Sequence, residues 1–188
     1  MSNDGMRIEW DSALVAALAG SLDRVGRNAR VRALLLDPVE RRVSLYLRDA
    51  VWVWDLHPER TAFRVLAPRE APEEAARLPA TLRAVDAVPD ERVMELRFRR
   101  LRGRPSKVAL VLELIPNREN ALVLHDDERT IRRLLRTREE GDRALVRGRP
   151  YEAPTPSLRH GAGSPWTREE WMSHLLAVPP EERRRALV

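Results

Sequence analysis

A dense group of cations stands between residues 97 and 107. Its members are Arg97, Arg99, Arg100, Arg102, Arg104 and Lys107. They surround Gly103, Pro105 and Ser106, residue types that favour a turn. Cations at the tip of a β-hairpin suit contacts with the phosphates of a nucleic acid. The alternative is a solvated turn, which is favoured because no aromatic side chain stands at the tip for base stacking.

Arginine is abundant along the whole chain, which weakens any single cluster as evidence for nucleic acid. The 188 residues include 34 Lys and Arg against 29 Asp and Glu, and Lys107 is the single lysine. Such a skew is typical of genes rich in G and C, so part of the arginine content is background. The formal net charge of +5 still favours a polyanionic partner modestly.

Enzyme and metal signatures are missing from the sequence. The chain has no cysteine, which excludes disulfides and thiol chemistry. His57 has no second ligand at a suitable spacing, and the run from His125 to Glu128 lacks the spacing of a calcium loop. No glycine-rich phosphate loop, zinc motif or nucleophile elbow occurs. We therefore expect a protein without covalent catalysis, bound metal or cofactor.

The first half of the chain predicts one helix followed by short antiparallel strands. Trp10, Leu14, Leu18 and Leu22 recur every four residues, as on an amphipathic helix. Asp11 stands where its side chain could cap that helix. Strands are predicted at 31–37, 43–47, 51–56 and 61–66 from apolar runs and alternation bounded by turns. Trp52 and Trp54 would share one face, as core or interface residues do.

The second half predicts more strands and two further helices. Residues 67–82 are predicted to form a loop, with at most one short helix at 73–78, and strands are predicted at 83–88, 94–98, 107–115 and 121–124. A helix capped by Asp126 or Asp127 would carry Ile131, Leu134 and Leu135. Thr167 to Glu170 forms a capping box that opens another helix. The fold class is then α+β, with antiparallel strands in one curved sheet or two packed sheets and flanking helices.

A series of short motifs in the second half resembles the N-terminal domain of the NFACT family, the fibronectin-binding-protein-A-like proteins. The series runs Glu113-Leu114, Asn117 to Asn120, Arg143, Gly148, Pro150-Tyr151-Glu152 and Pro154. The resemblance covers roughly residues 8–157. It implies an NFACT-like domain at residues 1–157, related in fold to the N-terminal domain of formamidopyrimidine DNA glycosylases. Residues 158–188 would be a helical extension.

The same resemblance implies a role in ribosome-associated quality control. Asp11 matches an aspartate that the family ties to tRNA handling, and His57-Pro58 matches a family motif. Glu91-Arg92 stands where the family has Asp-Arg, so the arginine is kept and the aspartate is either replaced by glutamate or shifted by one position to Asp90. The helix that precedes this pair in the family is shortened or lost here. Implied partners are tRNA and the large ribosomal subunit, with the hairpin cations neutralising phosphate.

Two other hypotheses remain open. The family's fibronectin-binding label implies a protein-interaction or adhesin-like scaffold, in which exposed tryptophans would form an apolar patch. A DNA glycosylase would need an N-terminal Pro-Glu, whereas this chain begins Met1-Ser2-Asn3. No signal peptide and no membrane-spanning apolar run is evident, so the prediction is a cytoplasmic protein without a membrane partner.

Overall fold

One long antiparallel sheet dominates the computed structural model of this chain, which describes residues 8–101, 107–125, 127–139, 143–154, 167–177 and 179. Two helices are described, α1 (Ser12–Gly26) and α2 (Arg168–Ala177). The strands are β1 (Arg30–Asp37), β2 (Arg42–Leu47), β3 (Val51–Asp55), β4 (Ala62–Leu66), β5 (Ala76–Ala87), β6 (Val93–Arg100), β7 (Lys107–Glu113), β8 (Asn120–His125) and β9 (Thr130–Leu134).

Strand order in the sheet is β4-β3-β2-β1-β5-β6-β7-β8-β9, and every pair is antiparallel. The long strand β5 joins two halves, because its first part pairs with β1 and its last part with β6. Register shifts in four pairings, β1–β2, β1–β5, β5–β6 and β8–β9, mark β-bulges. Bulges bend strands and increase their twist, so this sheet curves.

The main core lies on the sheet face that α1 covers, here named the α1 face. Val15, Ala19 and Leu22 of α1 belong to one buried cluster with Leu96, Leu110 and many other side chains from both halves of the sheet. Two smaller clusters lie on the opposite face, here named the outer face. One is built by strands β6 to β9 with Leu145 and Tyr151, and the other lies on β1 to β3.

The first helix, α1, begins at the cap that the sequence predicts. The Asp11 side chain accepts a hydrogen bond from the Leu14 amide at 2.7 Å, which satisfies one of the unpaired N–H groups of the first turn. The helix ends at Gly26, and Asn28 follows with φ of 67°. A side chain at Gly26 would stand 2.3 Å from Trp52, so the helix approaches the sheet closely here.

The prediction of a loop at 67–82 is partly wrong, because β5 already begins at Ala76. Pro79 explains the error, since proline cannot donate to a strand ladder. Between the pairs Val31–Ala80 and Ala33–Arg77, β5 contains one more residue than β1. Pro79 lies in this bulge, where its carbonyl accepts a bond from the Leu101 amide at 2.9 Å. The predicted short helix at 73–78 is absent there.

The helix predicted around Ile131, Leu134 and Leu135 is wrong, because residues 130–134 form strand β9. The helix-like i, i+3 spacing of Ile131 and Leu134 arises from a β-bulge. Leu124 pairs with Ile131 and Val123 pairs with Arg133, so Arg132 is an extra residue in β9. The shift places Ile131 and Leu134 against the same outer cluster. Leu135 joins the α1-face core instead. Asp127 therefore caps no helix.

The α+β prediction holds only in part. The described chain is mainly one antiparallel nine-stranded sheet, and α1 is the single helix seen to pack on it. The predicted capping box does open α2, because Thr167 and Glu170 exchange backbone-to-side-chain hydrogen bonds at 2.7 and 3.2 Å. No helix in the described ranges is both long and apolar enough to cross a membrane.

Candidate nucleic-acid interface

Cations from strands β1, β6 and β7, and from the end of β2, line up across the outer face. Arg30 pairs with Thr81, Thr81 with Arg99, and Arg99 with Lys107. Arg48 joins the line, because its amide donates to the Arg30 carbonyl at 2.8 Å. Directly paired residues present their side chains on the same face. These four cations form the cationic row, which spans about 19 Å at about 4.8 Å per strand.

A notch lies at the β1 end of the cationic row. It is a cavity of about 440 Å³ lined by Arg30, Val31, Arg32, Arg48, Pro79 and Leu101. Three of the six lining residues are arginines, and none is acidic. Arg32 donates to the Arg48 carbonyl at 3.1 Å, and Arg48 has a loose pair with the exposed Asp49 at 3.8 Å. This positive concave surface suits an anion such as phosphate.

A groove lies at the other end of the row, on the outer face of β5 to β8. Its volume is about 580 Å³, and its lining residues are Arg83, Ala84, Glu95, Arg97, Phe98, Lys107, Val108, Ala109, Leu124, Asp127 and Arg129. Small side chains make the depression: Ala84 and Ala109 flank Arg97 in paired register. Charged side chains surround this apolar floor, with cations in excess.

Ion pairs fix several charges around the groove. The Arg129 guanidinium donates hydrogen bonds to both oxygens of the Glu95 carboxylate, at 3.2 and 2.7 Å. Arg97 pairs with Asp86, and Lys107 pairs with Asp127. The last two pairs are exposed, so they are weak and can exchange partners with an incoming anion at little cost.

The hairpin residues predicted from the sequence do not all share one surface. Arg97 and Arg99 project on the outer face. Arg100 is the next residue along and pairs with Ala80, whose side chain faces α1. Arg102 and Arg104 lie outside the described residues.

The predicted Glu91-Arg92 pair lies at the opposite end of β6 from Arg99. Both residues are half-buried, in the turn between β5 and β6 that Asp90 forms with φ of 57°. The Arg92 carbonyl accepts a hydrogen bond from the Leu114 amide at 2.7 Å. Arg99 lies seven positions beyond Arg92 along the strand, or about 24 Å away. The structure therefore does not join this pair to the cationic row.

A buried polar cluster supports the Arg92 end of the sheet. Glu113, which pairs with Val93, receives hydrogen bonds from Arg143 at 2.6 Å and from the Tyr151 hydroxyl at 2.9 Å. Arg143 also donates to the Glu152 carbonyl. Burial first, then the charge of Glu113 and its hydrogen bond, raises the pKa of Tyr151 well above its usual value. A buried charge needs such a partner.

The sequence alone assigned no functional role to Glu113, Arg143 or Tyr151, although all three belong to the motifs that resemble the NFACT family. Glu113 could have indicated this cluster, because a glutamate inside an apolar strand needs a buried partner. Arg143 and Tyr151, which lie far downstream in the sequence, could supply one. Glu119 lies near the same end and is also buried, and its Oε2 has no hydrogen-bond partner within the described part of the chain.

Asp11 stands apart from both sets of residues. It is exposed at the start of α1, on the α1 face, whereas the cationic row lies on the outer face. Its carboxylate already caps the helix. The structure accounts for Asp11 as a cap of α1.

The tryptophans whose side chains the structure describes are buried and contribute to no exposed patch. Trp52 and Trp54 share a face as predicted, but both are buried, with ring centroids 6.2 Å apart in an edge-to-face arrangement. Trp10 is buried as well, while Trp166 and the side chain of Trp171 lie outside the part of the chain that the structure describes. Across the described ranges, no group of three or more metal-ligating side chains occurs.

Comparison with known proteins identifies the fold. No protein-family model matches the chain, and no curated protein matches it. Among solved structures, the N-terminal domain of fibronectin-binding protein PavA from Streptococcus pneumoniae matches with a TM-score of 0.69 and 17% identity, over 90% of this chain and 69% of that one.

Two further solved structures agree. The N-terminal part of the fibronectin/fibrinogen-binding protein from Streptococcus suis has a TM-score of 0.71 at 13% identity, over 91% and 70% of the two chains. The fibrinogen-binding protein from Staphylococcus aureus has a TM-score of 0.64 at 16% identity, over 80% of this chain and 57% of that one. The chain therefore has the fold of these solved structures, as the resemblance implied.

Proposed function

We propose that this domain is an RNA-binding module of the NFACT type, which contacts tRNA and the large ribosomal subunit in ribosome-associated quality control. It would bind without covalent catalysis of its own. The observation that carries the proposal is the cationic row with its adjoining notch. Arg30, Arg48, Arg99 and Lys107 present positive charge across five strands, at a spacing that can follow a phosphate backbone.

The predicted residues take different parts in this proposal. Arg99 belongs to the cationic row, and Arg97 lines the groove beside it. Glu91 and Arg92 would make a second contact with the same RNA at the other end of β6. Asp11 would act there only indirectly, since its carboxylate caps α1.

Binding of fluorescent tRNA to the purified protein across a salt series tests the proposal. The four cations of the row alone predict a slope of log affinity against log salt of about −3, or a loss of about sixty-fold between about 50 and about 200 mM salt. The variant Arg30→Gln/Arg99→Gln removes two of these four cations and should reduce the magnitude of the slope by about 1.5. Arg41→Gln/Arg60→Gln makes the same charge change in the turns at the opposite end of β2 and β3 from Arg48, and should leave the slope unchanged.

The proposal fails if the wild-type protein does not bind tRNA at low salt. It also fails if both double variants weaken binding equally, because net charge rather than the cationic row would then account for the affinity.

A protein-binding scaffold is the second candidate. It rests on the fibronectin and fibrinogen binding that the names of the structural neighbours state. The end strand β4 is its best surface, with Val65 and Leu66 exposed, because a free strand edge can pair with an extended peptide. Immobilised fibronectin and fibrinogen test it, and Val65→Pro should abolish retention by blocking strand pairing.

A further inference from the structure

We infer that the groove is a binding site for one unpaired nucleotide of the RNA whose phosphates lie on the cationic row. The inference rests on the proposed function and adds the kind of RNA. The groove and the row share Lys107. A chain that crosses the row can therefore place a nucleotide in the groove without leaving the outer face.

The shape of the groove is set by two small residues. Ala84, Arg97, Ala109 and Leu124 stand side by side on four neighbouring strands. The alanines leave depressions on both sides of the long Arg97 side chain, and Leu124 closes the far end. A volume of about 580 Å³ falls within the range of small-ligand sites. An apolar floor of this kind suits the flat face of a base.

The walls of the groove supply charges of both signs. Arg97 and Arg129 present guanidinium groups, which stack on bases and contact phosphates. Lys107 stands where the groove meets the cationic row and suits the phosphate of the same nucleotide. Glu95, which Arg129 holds at the wall of the groove, adds a hydrogen-bond acceptor to these donors.

Glu95 is the residue that would read the base. Arg129 occupies one position on each of its oxygens, and an ionised carboxylate has about four lone-pair positions. The remaining positions can accept from an amino group of cytosine, adenine or guanine. Uracil lacks an exocyclic amino group, so it should bind more weakly.

The test compares two RNA hairpins with the same stem, one blunt and one with a short unpaired 3′ extension containing cytosine. The wild-type protein should bind the extended RNA at least about tenfold more tightly, which corresponds to about 1.4 kcal/mol. Ala109→Leu and Ala84→Leu fill the groove from opposite sides. Each should remove that preference while leaving the affinity for the blunt RNA unchanged.

Thermal unfolding of both variants checks that the sheet is intact, and two independent positions guard against one misfolded variant. A folded variant that keeps the full preference would overturn the inference, as would equal binding of both RNAs by the wild-type protein. Failure of the wild-type protein to bind either RNA would overturn the proposed function as well. Replacing the unpaired cytosine with uracil should weaken binding, and equal binding would exclude the role of Glu95.

Discussion

Arg143 supplies the countercharge of the buried Glu113 at the Arg92 end of the sheet. Its side chain and that of Glu113 are 7% and 1% exposed, and their charged atoms are 2.6 Å apart. Arg143→Met leaves the Glu113 carboxylate buried without its countercharge, so the free energy of unfolding should fall by about 3–5 kcal/mol. Urea unfolding measures this loss. Arg60→Met, which breaks the exposed Arg60–Glu40 pair, should cost less than about 1 kcal/mol.

A double variant separates charge burial from packing. Replacing Arg143 with Met and Glu113 with Leu removes both charges, and should recover much of the stability lost in the single variant. If the double variant were less stable than Arg143→Met, packing around Glu113 rather than its charge would be the dominant contribution.

Tyr151 gives the same cluster a pH dependence. Its pKa is raised in the folded protein, chiefly by burial, whereas the unfolded tyrosine ionises near pH 10. The resulting stability is fully present below about pH 10 and is lost as pH rises above it, because only the unfolded chain then releases the proton. Between about pH 9 and about pH 11, urea unfolding of Tyr151→Phe should show a shallower decline than the wild type. Parallel declines would contradict this assignment.

At the scale of elements, the last residue of α1, Gly26, lies against the sheet. A Cβ at Gly26 would lie 2.3 Å from Trp52 and 2.9 Å from Leu82. Gly26→Ala should therefore lower the free energy of unfolding by about 1–3 kcal/mol through overpacking. Gly20 is the matched control in the same helix, because its Cβ would meet nothing within 4 Å. Gly20→Ala should stabilise the helix by about 0.5–1 kcal/mol.

Thermal or urea unfolding of both glycine variants gives the comparison directly. Equal shifts in the same direction would mean that Trp52 and Leu82 move aside, and that the close contact does not limit this position.

The local pattern of apolar and polar residues predicts strands in which the two types alternate regularly. It fails where a bulge changes the register of a strand. Alternation of Met94, Leu96 and Phe98 located β6, and the Asp11 cap and Leu22 located α1. In β9, an extra residue at Arg132 turned alternation into a helix-like spacing. In β5, Pro79 concealed a strand that a bulge accommodates. Bulges depend on pairing with a neighbouring strand, so a single segment carries little sign of them.

The site was less predictable than the fold for the same reason. The hairpin cations are evident in the sequence, but Arg30 and Arg48 are more than 50 positions away from Arg99 along the chain and lie beside it only through β5. Which cations share a face follows from the register of four strand pairs. The apolar floor at Ala84 and Ala109 also arises from register, since neither alanine stands out locally.

At the scale of the whole molecule, the sheet separates two groups of predicted RNA contacts. Arg92 and Arg99 stand at opposite ends of β6, about 24 Å apart. Residues this distant with no shared partner should act independently. Arg92→Ala and Arg99→Gln should each weaken binding of full-length tRNA, and their free-energy effects should add to within about 0.5 kcal/mol in the double variant.

A short oligonucleotide distinguishes the two ends. An RNA long enough to cover only the cationic row and the groove should lose affinity with Arg99→Gln but not with Arg92→Ala, because it cannot reach the Arg92 end. Anisotropy titrations of both RNAs with the three variants give the full comparison. If Arg92→Ala weakened the short RNA as much as tRNA, the two ends would not be separate contacts. If it changed neither, the Glu91-Arg92 pair would have no part in binding, and the cationic row alone would carry the interaction.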